Sequence, residues 1–379
     1  MRRYLLPGAV SLLFIGWSPF IGLIRDRIKD TFGEAFTAVV GVALGAVVLL
    51  AVAWGVRHVR EHRVRRVGLM ALALLLFTGY AVVMRTGMPD VDAVERVHFV
   101  EYGLVAVLFY RAMRGATVGS AVTITLLAGT LVGIGEEWLQ WLVPTRVGDV
   151  RDVLLNFAAL GSGLLFAAGL HPPENGSWRV PPRARPAVLR LAGVVVLCFA
   201  GFFHCAHLGY ELSDPAIGRF RSFFTKAQLG EIAADRAERW RTDPPTSLEP
   251  LAIQDHYLVE GASHVLHRNT YYSTGRFRAA WLENAILERY YDPLLDQHSM
   301  SSGALHRWPS AQRDEVEAKG AALQGGEYVS PVNMDRVYIA PTKARHWMIA
   351  GTAAALLLLA AAWLSRRARA GPPIVGGGP

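Results

Sequence analysis

The sequence predicts an all-α polytopic membrane protein with about eight transmembrane helices and a mostly helical extracytoplasmic insert. Three observations predict it. Apolar residues make up 52% of the chain and charged residues only 18%. The apolar residues come in blocks, several of them free of charge over about 18 to 20 positions, the length a helix needs to cross hydrocarbon. The strongly basic loops then fall on one side of the resulting spans. Lys+Arg 39 against Asp+Glu 31 leaves a net charge of +8, but cytoplasmic loops collect Arg and Lys by themselves, so the excess calls for no nucleic acid. A disordered chain is excluded by the same apolar content.

The spans read 5–24, 37–56, 67–84, 97–113, 116–135, 152–170, 188–208 and 346–364. The first is too long and too clean for a cleaved signal peptide, and no small-residue cleavage site follows it. The fourth is the least apolar, because His98 and Glu101 lie in its first turns. The loop Arg57–Arg66 (RHVREHRVRR) carries five arginines and one glutamate and is placed inside the cell. Counting from it puts Arg2, Arg3, Arg111, Arg114, Arg179, Arg183, Arg185 and the tail arginines Arg366, Arg367 and Arg369 inside as well. Residues 85–96, 136–151 and 209–345 fall outside, and both termini are cytoplasmic. Cys198 and Cys205 are seven apart in one apolar block, about 10 Å along a helix and beyond disulfide reach.

This divides the chain into a six-span unit (1–170), a Pro- and Arg-rich cytoplasmic linker (171–187), a seventh span (188–208), an extracytoplasmic helical domain (209–345), an eighth span (346–364) and a cytoplasmic tail (365–379). The last residues, GPPIVGGGP, read as a disordered end.

Ionisable groups are costly in a bilayer, so their clustering is the main functional signal. Glu95, His98 and Tyr102 recur at helical spacing where the fourth span opens. The fifth span ends in Gly135-Glu136-Glu137-Trp138-Leu139-Gln140, with Glu137 and Gln140 one turn apart. The loop Pro144-Thr145-Arg146-Val147-Gly148-Asp149 leads into Asp152 and Asn156, which share a helical face with Asp149. All three polar stripes lie at the same depth, near the outer surface. Asp149 reads as a helix N-terminal residue beside the macrodipole rather than as a chemical group.

These residues resemble the VanZ-like family of bacterial membrane proteins, over roughly residues 60–170. The family's pattern is a His with Tyr four residues later, then Glu-x-x-Gln, then Arg, Asp and Asn at the next helix. Here the matching residues are His98 and Tyr102, Glu137 and Gln140, then Arg146, Asp152 and Asn156. Two departures are visible: Glu95-Arg96 sits one residue closer to the His than the family's Asp-Lys pair, and Ala159 stands where a Gly is expected, with Gly161 and Gly163 nearby. The resemblance implies a role in the cell envelope at the bacterial cell membrane. The family's namesake is associated with low-level resistance to the glycopeptide antibiotic teicoplanin.

Chemically, a carboxylate pair with a His can supply general acid and base, which points to Glu137 and His98 as catalytic candidates. Arg146 is suited to gripping a phosphate or carboxylate, as a lipid-linked envelope precursor would offer. Asp152, Asn156, Gln140, Tyr102 and Glu95 then bind or orient. The same oxygens and nitrogens can hold a divalent cation; the plainer alternative is that Arg146 pairs with Glu137 or Asp152 and the rest make helix-bridging hydrogen bonds. No cofactor is read from the sequence, and no metal site is assigned.

Within the insert, Phe220–Trp240 reads as an amphipathic helix closed by Asp243-Pro244-Pro245. A helical hairpin follows, 251–272 and 277–291, with its turn at Ser273-Thr274-Gly275 and its second arm ending before Pro293. Tyr271, Tyr272, Gly275, Phe277, Ala280 and Pro293 fall close to tetratricopeptide-repeat positions, although Arg268 replaces the usual glycine. A lone repeat cannot bury a core, so it must pack on other insert helices. A third helix (311–323) starts behind Ser310, and Glu327–Ile339 is extended. His256, Glu260, His264 and His267 share a face of the first hairpin helix. Their spacing matches no zinc signature, which favours solvated or hydrogen-bonded histidines. Tyr271, Tyr272, Trp281, Tyr290 and Tyr291 read as hairpin core.

Two functions fit: an envelope-modifying or envelope-binding membrane protein, whose ligand is a lipid-linked precursor or a glycopeptide, and a non-enzymatic scaffold whose insert recruits a protein partner. A transporter is less favoured, since the spans show no inverted repeat and the polar cluster is not at the bilayer midplane. Beyond these, the implied partner is the lipid bilayer itself.

Overall fold

Each apolar block becomes a helix, because a backbone in hydrocarbon must satisfy its own hydrogen bonds. The computed structural model describes residues 2–370 except 86, 88, 144, 145, 147, 173, 242–254, 300–302, 324, 340 and 341. In chain order it contains α1 (Leu5–Trp17), α2 (Ile21–Phe32), α3 (Phe36–His58), α4 (Arg63–Val83), α5 (Pro89–Glu95), α6 (Val97–Ala112), α7 (Val118–Leu142), α8 (Val150–Leu170) and α9 (Arg185–His207). The chain continues through β1 (Tyr210–Asp214), β2 (Gly218–Ser222), α10 (Lys226–Arg239), α11 (His256–Ser273), α12 (Phe277–Tyr290), α13 (Asp292–Leu295), α14 (Ser310–Gly320) and α15 (Lys343–Ala370).

Among the described residues, six helical stretches are long and apolar enough to cross a membrane: Leu5–His58, α4, α7, α8, α9 and α15. The first is a 54-residue run in which α1, α2 and α3 follow one another through short 3-10 turns. Pro19 starts one of those turns, and Gly33, at φ +54, makes the other. α6 is 16 residues, shorter than the roughly 20 a perpendicular crossing takes. The tail 371–379, read above as disordered, lies outside the described residues.

The chain forms two compact units. The first comprises residues up to Gln140, Gly148–Phe202 and the chain from His346 onward; the second comprises Trp141–Val147 and Phe203–Arg345.

In the first unit α8 is the central helix, packed against α6 and α4. Its core is made by Tyr102, Val105 and Ala106 of α6 with Leu155, Ala159 and Leu160 of α8. The close approach depends on glycine: a Cβ on Gly163 would lie 2.5 Å from the Gly103 Cα. Small-residue contacts of this kind let membrane helices meet backbone to backbone. Ala159, at the position where the family's glycine was expected, is itself fully buried. Ser162 donates to the Ala73 carbonyl at 2.9 Å, and Arg66 bonds the Gly169 and Leu170 carbonyls, both at 2.7 Å. The α4 cation thus satisfies the last carbonyls of α8, where positive charge is also favoured. α2 is held from its polar side: Lys29 pairs with Asp90 of α5 at 2.5 Å, and Thr37 of α3 donates to the same carboxylate at 3.0 Å.

The second unit corrects one expectation. Phe220–Trp240 is not a single helix. Its first residues form β2, which pairs antiparallel with β1 (Tyr210 opposite Ser222, Asp214 opposite Gly218). Gly218 takes φ +121 where the strand leaves the turn. Phe220 and Ser222 point in and Arg219 and Arg221 stay partly exposed, the two-residue period of a strand. The helix proper, α10, starts only behind Thr225, whose side chain and that of Gln228 close a reciprocal capping box. The expected stop at Asp243-Pro244-Pro245 lies outside the described residues.

The helical hairpin is present as α11 and α12, turning at Gly275 with φ +74. α14 packs on α12. Phe220, Leu229, Tyr257, Ile286, Leu287 and Tyr291 form the unit's main core. The segment 327–338 is no continuous strand: it runs through two isolated parallel bridges, Arg219–Val329 and Leu208–Tyr338, with a turn at Asn333.

Candidate functional site

The polar cluster of the first unit is built where α6, α7 and the start of α8 meet. Tyr102, wholly buried, donates its phenol hydrogen bond to Glu136 of α7. Gln140, one turn on, donates to both carboxylates, to Glu136 Oε1 at 3.2 Å and Glu137 Oε1 at 3.3 Å. Glu137, also wholly buried, accepts the Asp149 backbone N–H at 3.0 Å. Asp149 caps α8, accepting the Arg151 backbone N–H at 2.8 Å.

His98, 7% exposed, stacks on Tyr102 with ring centroids 6.3 Å apart, and its charge is felt at Asp152. Asn156, 1% exposed, presents an amide in which neither Nδ2 nor Oδ1 has a hydrogen-bond partner among the described residues. It packs closely on Gly133: a Cβ there would meet Asn156 Cβ at 3.2 Å and Tyr102 Cε1 at 3.5 Å. A buried amide left unpaired costs on the order of 1 to 3 kcal/mol, so its retention calls for an explanation.

His98, Tyr102, Glu137, Gln140, Asp152 and Asn156 are therefore brought together in the first unit. Glu95 lies at the junction of α5 and α6, where Arg96 keeps right-handed helical dihedrals, and its charge is felt at Asp152. Its carboxylate pairs with Arg151 at 3.2 Å. Arg146 is placed with the second unit, its backbone N–H on the Val143 carbonyl at 3.0 Å. Sequence reasoning passed over Glu136 in favour of its neighbour, although Glu136 and Gln140 stand one full turn apart and Glu136 is the carboxylate that Tyr102 reaches.

Residues 36–170 match the VanZ/LLP1 family. That stretch is a VanZ/LLP1 domain. It begins earlier than the motifs alone suggested, taking in all of α3, and ends with the last residue of α8. Every member of the first-unit cluster lies inside the VanZ/LLP1 domain, whereas α9, the second unit's long insert and α15 lie outside it. No curated protein and no solved structure matches the chain.

Outside the VanZ/LLP1 domain the second unit holds a polar network that the sequence reading did not foresee. Glu260 accepts from Ser222 Oγ at 2.7 Å, the Phe223 N–H at 2.8 Å, Tyr291 Oη at 2.7 Å and Asn333 Nδ2 at 3.0 Å. Burial pushes its carboxyl above the usual range, and those hydrogen bonds oppose the shift. Glu283 bonds His264 Nδ1 at 2.5 Å, Tyr328 Oη at 2.5 Å and Ser330 Oγ at 2.6 Å. Burial raises Glu283, but the charge of His264 and the three hydrogen bonds win, holding it below the ordinary carboxylate value.

Of the other residues on that face, His256 stacks on Phe223 with centroids 3.8 Å apart, and burial pushes it down to about 4. His267 lies against Tyr271. Two carboxylates thus fasten the 328–333 strap to α11 and α12. Among the described residues no group of three or more His, Cys, Asp or Glu side chains converges as a metal site.

Proposed function

We propose that the VanZ/LLP1 domain works at the outer face of the bacterial cell membrane, on a component of the cell envelope. The chain then crosses eight times, with α1 and α3 crossing separately, α6 completing the set, and both termini cytoplasmic. In this reading Glu137 and His98 handle protons, Arg146 grips an anionic group of a lipid-linked precursor, and Asp152, Asn156, Gln140, Tyr102 and Glu95 position the others. Resistance to a teicoplanin-type glycopeptide is one phenotype such a change in the envelope would produce.

The observation that carries this reading is the unpaired amide of Asn156, buried near Tyr102, which itself bonds Glu136 and stacks on His98. Helix-bridging hydrogen bonds explain Tyr102, Gln140 and Glu136, but they leave that amide without a partner, as a ligand-binding group would be. A ligand with one donor and one acceptor on adjacent atoms would satisfy it.

The test profiles lipids, lipid-linked precursors and wall fragments by mass spectrometry in cells expressing wild type, Glu137→Gln or Arg146→Gln at matched membrane levels. A species that changes with wild type and reverts in both variants supports an enzyme. An unchanged profile with all three proteins inserted refutes it.

A second reading has its own support. The second unit has a separate hydrophobic core around Phe220, Ile286 and Tyr291 and a hairpin with tetratricopeptide-like positions, as a domain that recruits a protein would. In that case the membrane helices are an anchor. Deleting 215–340 with the span register preserved would abolish the phenotype, whereas substitutions at Glu137 or His98 would be tolerated.

A further inference from the structure

The first unit holds a second feature, which meets the cluster only at His98. A cavity of about 150 Å³ lies among α1, α2, α3, α5 and α6. Trp17, Ile28 and Phe36 supply apolar wall, and Arg25, His98 and Glu101 supply the polar lining. Its volume is roughly ten times the 10–15 Å³ that one water needs by the same measure, room for a short run of methylene groups. The surface around it is apolar and outward-facing: Phe20, Leu23 and Phe32 are each 47% exposed or more. Trp17 is a residue type that settles at the membrane–water interface.

Glu101 is the group that needs explaining. It stands on α6 beside apolar neighbours, no described residue donates a hydrogen bond to its carboxyl, and the charge felt there is that of Glu136, of the same sign. Arg25 carries the opposite charge on the same lining, with a side chain 42% exposed and an ion pair to the adjacent Asp26 at 2.8 Å. A cavity with one apolar wall, one carboxyl and one guanidinium is complementary to a molecule with a hydrocarbon chain, an N–H donor cation and an anion.

We propose that this cavity is a binding site for a zwitterionic aminophospholipid. An acyl segment enters between Ile28 and Phe36, the primary ammonium donates to Glu101, and the phosphate pairs with Arg25. Charge-assisted bonds of this kind are roughly twice as strong as neutral ones, and guanidinium suits phosphate geometry. The site shares only His98 with the carboxyl cluster and requires no chemistry at Glu137.

The full-length protein in nanodiscs of equal phosphatidylethanolamine, phosphatidylglycerol and phosphatidylcholine would be stripped gently and its retained lipids counted by native mass spectrometry. Phosphatidylethanolamine is expected to exceed each of the others by about tenfold, because phosphatidylcholine has no N–H and phosphatidylglycerol has no cation. Glu101→Gln should bring it down to the phosphatidylcholine level. Arg25→Gln, on a side chain 42% exposed, should lower phosphatidylethanolamine retention as well. Ile28→Trp, which fills the cavity, should remove retention of all three.

Equal retention of the three lipids by wild type overturns the proposal. So does undiminished phosphatidylethanolamine in either Glu101→Gln or Arg25→Gln. Lipid retention is read on purified protein, so its failure leaves the envelope-composition test standing, and the reverse also holds.

Discussion

The phenol of Tyr102 donates its hydrogen bond to the carboxylate of Glu136, 34 positions along the chain, and so ties α6 to α7 at the polar end of the VanZ/LLP1 domain. Both partners are buried. Removing the hydroxyl leaves a buried carboxylate with one donor fewer, which costs more than the bond itself contributes. Tyr102→Phe is therefore expected to destabilise the protein by about 1 to 3 kcal/mol, read as an earlier thermal aggregation midpoint in detergent. An unchanged midpoint would show that Gln140 alone satisfies Glu136.

The contact of Gly163 with Gly103 leaves no room for a side chain. Gly163→Leu is expected to push α6 off α8 and to sharply reduce the yield of folded protein at the membrane, whereas Gly161→Leu, whose Cβ has only Leu76 near it at 3.8 Å, should accumulate normally. Quantifying both in membrane fractions checks the pair; equal yields would contradict the packing.

Asp149 caps α8 and also offers its backbone N–H to Glu137. Asp149→Ala removes the side-chain cap and should cost about 1 kcal/mol. Asp149→Asn, which still accepts at the cap, should cost a few tenths or less. A large loss in Asp149→Asn would mean that the charge itself is used.

Acid stability of the second unit follows from His256. Its folded pKa of about 4 lies below the unfolded value of about 6.5. The unfolded chain therefore binds a proton first as pH falls, and stability drops progressively from about pH 6.5 to about pH 4. Glu283 acts in the same direction, since its stabilisation is lost as pH falls through its lowered folded value. Glu260, with a raised value, works in the opposite sense: it favours the folded state as pH falls toward its unfolded value. His256→Gln should flatten the melting-temperature profile over that window, and Glu260→Gln should steepen it. A His256→Gln profile that runs parallel to wild type would remove His256 as the cause.

The membrane helices were legible from the sequence because hydropathy is a property of long blocks, and block lengths survive small errors of boundary. The hairpin of α11 and α12 was legible because Gly275 marks its turn. β2 was not. Its five residues are too few to show a period of two against a neighbouring amphipathic helix, and Phe220, Phe223 and Phe224 fit either pattern. The stripe of His98, Tyr102, Gln140, Asp152 and Asn156 was visible from spacing, whereas the choice between Glu136 and Glu137 was not. Adjacent residues on a helix point about 100° apart, and only the packing of α6 and α8 around the end of α7 buries both. The strap that Glu260 and Glu283 hold joins positions up to 73 apart, a range over which no local pattern carries information.

The second unit's long insert is closed at its base: the Tyr338 N–H bonds the His207 carbonyl at 2.8 Å, and the Gly209 N–H bonds the Tyr338 carbonyl at 3.2 Å. The two ends of this segment are thus neighbours, and the His207 ring bonds the Arg336 carbonyl at 2.9 Å beside them. A sequence exchanged between Gly209 and Val337 would have to restore that side-chain contact as well as the backbone pairing, so the segment is tied to α9 by more than its two chain connections.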